Sequence, residues 1–101
     1  MSSPGSAYQR FRRALLTGNS VIVDAAAREL PAVGLEDALR ILVFMAHAND
    51  PRYERAATKW AARVTAERRL GLDDARKVLA LVEVLPSAAD AIEPVLRRLC
   101  T

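Results

Sequence analysis

Four cationic side chains, Arg52, Arg55, Lys59 and Arg63, recur at spacings of three and four residues in the stretch PRYERAATKWAARV at 51–64, and the single tryptophan of the chain, Trp60, stands among them. At about 100° per residue the four cations gather into one stripe of a helix, while Tyr53, Ala57, Trp60 and Val64 gather about a quarter-turn away. Two readings compete for this stripe. A cationic line with an aromatic edge at its rim suits a single-stranded nucleic acid or another polyanion, with phosphates on the cations and bases against the ring. A helix covered by core on one side presents the same line as its solvated face, where long Arg stems shield apolar rims. Glu54 and Glu67 dilute the charge, and Arg10, Arg12 and Arg13 add to it only if the first helix packs nearby. The solvated face is the preferred reading, and a polyanion surface of Arg52, Arg55, Lys59, Trp60 and Arg63 is the alternative.

A second pattern lies upstream, in LEDALRILVFMAH. Glu36, Arg40 and His47 fall on one line of a helix, yet Val43 sits in that line and Phe44 on its border. An apolar patch that interrupts a polar stripe suggests a contact surface for a protein partner or a second copy of the chain. The competing account is a helix so central that its polar side shrinks to the two ends.

Other chemistries are poorly supplied. A Ser–His–Asp or Cys–His site needs a histidine within reach of a nucleophile; His47 is alone, and the sole cysteine, Cys100, falls at a terminus expected to fray. Zinc wants several Cys or His ligands, and the isolated glycines belong to no phosphate loop. The carboxylate pairs Glu36-Asp37 and Asp73-Asp74 suit magnesium in principle, but both fall in first helical turns, where acids serve as caps and dipole partners. No catalytic residue, metal or cofactor is expected, and a carboxylate-dependent enzyme is only a distant third reading. A helix-turn-helix over AARELPAVGLEDALRIL fails too, because Pro31 replaces the usual turn glycine and the would-be reading helix opens with two acids before an apolar body.

These residues must be held by helices, because every strong period in the chain is helical. Tyr8, Phe11 and Leu15 share a face, and Gly18 reads as a stop. Asn19 or Ser20 caps the next helix, which ends before Pro31 and carries Asp24 and Arg28 as an i,i+4 pair. A third helix is predicted over 35–48, and Asp50 caps a fourth that has Pro51 at its first position and runs to about 69. Gly71 separates this from a fifth over 72–85. SAAD at 87–90 reads as a capping box for a sixth, which Pro94 should kink or restart. The expected fold is therefore all-α: about six short antiparallel helices forming three helical hairpins, in a compact bundle or a short α-solenoid. GLEDALRIL at 34–42 and GLDDARKVL at 71–79 echo one another, which a solenoid repeat would explain, as would the shared demand for acids at helix starts.

Composition agrees. With 51% hydrophobic and 27% charged residues, the 101-residue chain is too apolar for disorder and too interrupted by charge for a membrane span. One domain over 1–101 is expected, with residues 1–5 lacking fixed structure. The first residues hold arginines but no apolar run of the kind that export needs, and a lone thiol fits a reducing cytoplasm. A net charge of +3 favours solubility without amounting to a nucleic-acid signature.

The chain is rich in Ala and Arg with only Lys59 and Lys77 as lysines, a cast of high-GC bacterial proteins. Its run AARELP…LEDAL…DPRYERAATKWAAR resembles small, uncharacterised all-helical proteins of actinobacteria over about half the chain. That resemblance implies the fold and a cytoplasmic location, and no activity. The expected function is a non-enzymatic protein–protein interaction or adaptor module, with polyanion binding as the alternative.

Overall fold

The structure, a computed structural model, describes residues 4–101. Six α-helices account for most of them, and no strand occurs among the described residues. They are α1 (Pro4–Leu16), α2 (Ser20–Arg28), α3 (Leu35–His47), α4 (Tyr53–Glu67), α5 (Leu72–Val84) and α6 (Ala89–Arg98), with a 3₁₀ turn over Leu85–Ser87. The fold is all-α, as the helical periods require. Of the segment 1–5, expected to lack structure, residues 1–3 lie outside the described residues, while Pro4 and Gly5 open α1. The chain was expected to form one domain; its contacts fall into two units, Met1–Gly34 and Leu35–Thr101.

In the first unit α1 packs on α2. Ala7, Phe11 and Ala14 recur at spacings of four and three, and all three are buried, as is Val23 of α2. Gly18 adopts φ +68°, a left-handed conformation that a side chain would disfavour, and so ends α1. Asn19 then caps α2, its Oδ1 accepting from the Val21 and Ile22 amides at 3.0 and 3.4 Å. The Tyr8 hydroxyl donates to the Ala32 carbonyl at 2.6 Å, tying α1 to the chain beyond α2.

The second unit is a ring of four helices. α3 packs on α4, α4 on α5, α5 on α6, and α6 closes back on α3. Short connections make successive neighbours antiparallel. This closure distinguishes a bundle from a solenoid, in which α3 would stack on α5 and α4 on α6. The echoed segments also differ in environment: Leu39 and Leu42 are buried in α3, whereas their counterparts Arg76 and Leu79 are exposed in α5. The core holds Leu35, Leu39 and Leu42 of α3, Ala57, Trp60, Ala61 and Val64 of α4, Val78 and Val82 of α5, Leu85 of the 3₁₀ turn, and Ala89 and Leu96 of α6.

Helix ends follow local chemistry with three exceptions. α3 and α4 both end in Schellman motifs. The amide of Asp50 donates to the Met45 carbonyl (2.9 Å) and that of Asn49 to Ala46 (3.3 Å), while Leu70 donates to Thr65 (3.0 Å) and Arg69 to Ala66 (3.3 Å). The left-handed residues are Asn49 (φ 51°) and Arg69 (φ 52°). Asn tolerates this conformation and Arg does not, so Arg69→Gly should stabilise the protein by about 0.5–1 kcal/mol, read as a raised denaturation midpoint. A lowered midpoint would instead assign the Arg69 side chain a stabilising contact. Asp50 accepts from the Arg52 amide at 2.8 Å, but this bond closes the turn before α4: the helix begins only at Tyr53, with Arg52 at its N-cap and no side-chain cap, so Pro51 lies in the turn and not at the first helical position. The expected capping box at Ser87 does not form: Pro86 draws Ser87 into the 3₁₀ turn, and Ala88, which has no side-chain acceptor, stands at the N-cap of α6. Nor does Pro94 divide α6, which runs continuously through it.

Candidate interaction surfaces

The cationic stripe survives only in part. Asp50 grips Arg52, with Nε at 3.1 and 3.2 Å from its two carboxylate oxygens and Nη2 at 2.8 Å from Oδ2. The Arg52 side-chain and backbone hydrogen bonds hold the Asp50 carboxyl below its ordinary value, so this clasp is complete at neutral pH and weakens only as acid reaches the lowered value. Arg63 turns along the helix to Glu67, Nε to Oε2 at 2.9 Å. Arg55 and Lys59 are exposed and make no ion pair among the described residues.

Trp60 does not belong to this surface. It is 2% exposed, and its indole N–H donates to the Leu35 carbonyl at 2.9 Å. The expectation that one ring edge reaches the rim beside Lys59 and Arg63 is corrected by that bond. It draws the ring across to the start of α3, where both its faces and its only polar atom are occupied. No stacking platform remains beside the cations.

The patch expected on α3 is also not an open surface. Val43 is half-buried and packs against the core of the second unit, and Phe44 is half-buried as well. α3 is flanked by α4 and α6 and meets the 3₁₀ turn, so its apolar side is wider than a single contact would require. The polar members of the line separate to its ends. His47 is exposed in the last turn. Near the other end, Arg40 spans the two acids of the first turn, with Nη1 at 2.6 Å from Asp37 Oδ1 and Nη2 at 3.0 Å from Glu36 Oε1. Asp37 is 8% exposed, and its pairing with Arg40 offsets much of the cost of burying a carboxylate.

Cys100 is not frayed. It is half-buried against the core, its thiol pointing to the Leu96 carbonyl at 3.7 Å, and Arg68 Nη2 donates to the Thr101 carbonyl at 2.5 Å. Burial, then the Glu36 carboxylate, push the thiol's pKa up against the opposing pull of Arg97, Arg68 and Arg40. Glu36 and His47 lie eleven residues apart on α3, about 16 Å at the helical rise, so a thiol beside Glu36 stands far from the imidazole. Among the described residues, no group of three His, Cys, Asp or Glu side chains is placed to hold a metal ion.

A different surface emerges where α4 meets α5. Tyr53, Ala57, Leu79, Val82 and Pro86 line a groove of about 370 Å³, with Glu54, Thr58 and Glu83 completing its lining. Leu79 is 49% exposed although Val78 and Val82 of the same helix are buried core. The Tyr53 hydroxyl donates to the Val82 carbonyl at 2.6 Å, pinning the ring as one wall. Burial pushes its pKa up to about 12, so it remains a donor through the ordinary pH range. The sequence does carry a signal for this groove: VLALVEVL at 78–85 is apolar on more sides of a helix than its contacts with α4 and α6 can cover. In the first unit, Leu16, Val21 and Ile22 are likewise exposed, around the turn between α1 and α2.

No family model matches this chain, and neither a curated protein nor a solved structure is significantly similar to it. Among the described residues, no helix is long and apolar enough to cross a membrane.

Proposed function

We propose that this chain is a non-enzymatic protein-interaction module, working in the cytoplasm, whose contact site is the groove of α4 and α5. The observation that carries this reading is Leu79, a large aliphatic residue half in solvent over an apolar groove walled by Tyr53, Val82 and Pro86. An apolar depression of this kind loses water when a partner's side chain fills it, which is the usual source of affinity at the centre of an interface. The cytoplasmic setting is supported by the unpaired thiol of Cys100.

Polyanion binding is supported less well. With Arg52 and Arg63 engaged by carboxylates and Trp60 buried, Arg55 and Lys59 are the two members of the stripe left to meet phosphates. Two contacts give a salt slope of only about −2, the signature of a weak and non-specific site.

Replacing Leu79 by Asp distinguishes the two. The half-exposed position should lose about 1–2 kcal/mol through reduced apolar contact and helix propensity, and the variant should stay folded. A protein that co-purifies stoichiometrically with the wild type should then be lost from the folded variant. If Arg55→Glu with Lys59→Glu removes the bound material instead, and that material is nucleic acid, the interaction reading gives way to polyanion binding.

A further inference from the structure

We propose that the groove of α4 and α5 receives a cationic amphipathic helix from a partner protein, with an apolar side chain seated against Leu79 and Tyr53 and Lys or Arg side chains set against Glu54 and Glu83. The inference rests on the interaction reading above and adds the chemistry of the partner.

The charge of the groove carries it. Glu54 and Glu83 both line the depression, and neither carboxylate makes an ion pair or side-chain hydrogen bond among the described residues. Most other acids are answered by cations: Glu29 by Arg10, Glu36 and Asp37 by Arg40, Asp50 by Arg52, Glu67 by Arg63, Asp74 by Lys77, Glu93 by Arg97, while Asp73 and Asp90, unpaired among the described residues, stand in first helical turns, where the helix dipole favours them. Glu54 and Glu83 share one apolar floor, and no Lys or Arg lines it, so the rim of this groove is negative. A partner of opposite charge gains from it, and one of like charge is repelled.

The floor excludes other occupants by its lack of free polar groups. The Tyr53 hydroxyl is committed to the Val82 carbonyl, and the Thr58 hydroxyl donates to the Glu54 carbonyl at 2.9 Å. An extended peptide needs backbone groups to pair with, and helices α4 and α5 satisfy their own internally. A helix brings its backbone already satisfied and presents side chains at i, i+3 and i+4, which is how grooves between helices are commonly filled.

The test uses the whole protein, labelled with nitrogen-15, and three synthetic helical peptides that share one leucine anchor and differ only in flanking residues: Lys, Gln or Glu. The Lys peptide should bind and shift the amide resonances of Tyr53, Leu79 and Glu83. Glu54→Gln with Glu83→Gln should weaken it by about tenfold at low salt, an effect that added salt removes. Leu79→Ser should weaken all three peptides. If the Gln or Glu peptide binds at this groove as well as the Lys peptide and depends on Leu79, the contact site stands and the cationic partner is overturned. If the protein self-associates in sedimentation and Leu79→Ser abolishes it, the occupant is a second copy, and the cationic helix is again overturned. If no peptide perturbs the groove and the chain stays monomeric, the interaction reading falls together with this inference.

Discussion

Replacing Trp60 by alanine is expected to remove about 3–5 kcal/mol of stability, the range for deleting a buried indole and leaving a cavity. The cost has two sources that separate experimentally. Most comes from lost packing against Ala57, Ala61, Val64 and the start of α3; the rest comes from the hydrogen bond to the Leu35 carbonyl. Trp60→Phe keeps much of the packing and gives up the N–H, so it should cost about 1–2 kcal/mol. In a domain of this size each kcal/mol moves the melting temperature by roughly 4–8 °C, so the alanine variant should melt more than ten degrees lower or fail to fold. Circular dichroism reads both variants, and the wild-type emission of this single tryptophan should be blue-shifted and move to the red on denaturation. A loss under about 1 kcal/mol for Trp60→Ala would place the indole at the surface and reopen its role beside Lys59 and Arg63.

Val43→Glu should also be severe, at about 2–4 kcal/mol, because a carboxylate would enter the packed side of α3 without a cation to meet it. The nearest basic group on the same helix, Arg40, is already shared between Asp37 and Glu36. The expected result is a collapsed melting temperature with no change in the oligomeric state of whatever remains folded. Arg55→Glu, on the exposed face of α4, makes the control, and should change stability by no more than about 0.5 kcal/mol. Should Val43→Glu instead yield a stable monomer from a dimeric wild type, Val43 belongs to an interface and its packing against the core is wrong.

Both predictions turn on residues whose environment a helical period leaves open. A period assigns Trp60 to the inward side of α4, but how far its large ring reaches depends on what stands opposite. Here the Leu35 carbonyl stands opposite, twenty-five residues away in the chain, and captures the indole N–H. The same holds for Val43. Its place in the line of Glu36, Arg40 and His47 is legible, yet whether that line meets water depends on how many helices flank α3. The groove depends on helix packing for the converse reason. Leu79 looks like one more core residue of an apolar run, and only the positions of α4 and α6 leave it half in solvent.

Features decided within four or five residues were legible. Asn19 caps α2 because its amide oxygen can reach the backbone amides two and three residues on, Gly18 stops α1 because a glycine enters left-handed space without strain, and Gly71 precedes α5 as read. Where a local signal failed, a nearer constraint overrode it: Pro86 held Ser87 in a 3₁₀ turn, so its hydroxyl never reached the N-cap position. The sequence by itself thus determined the all-α class, the six helices and most of their ends, since these rest on backbone hydrogen bonds and short-range sterics. The tertiary structure alone decided the closed ring of α3 to α6, the burial of Trp60, the packing of Val43 against the core, the capture of Arg52 and Arg63 by carboxylates, and the open groove under Leu79. Each of these is a meeting of helices, and the same amphipathic pattern satisfies several such meetings until packing selects one.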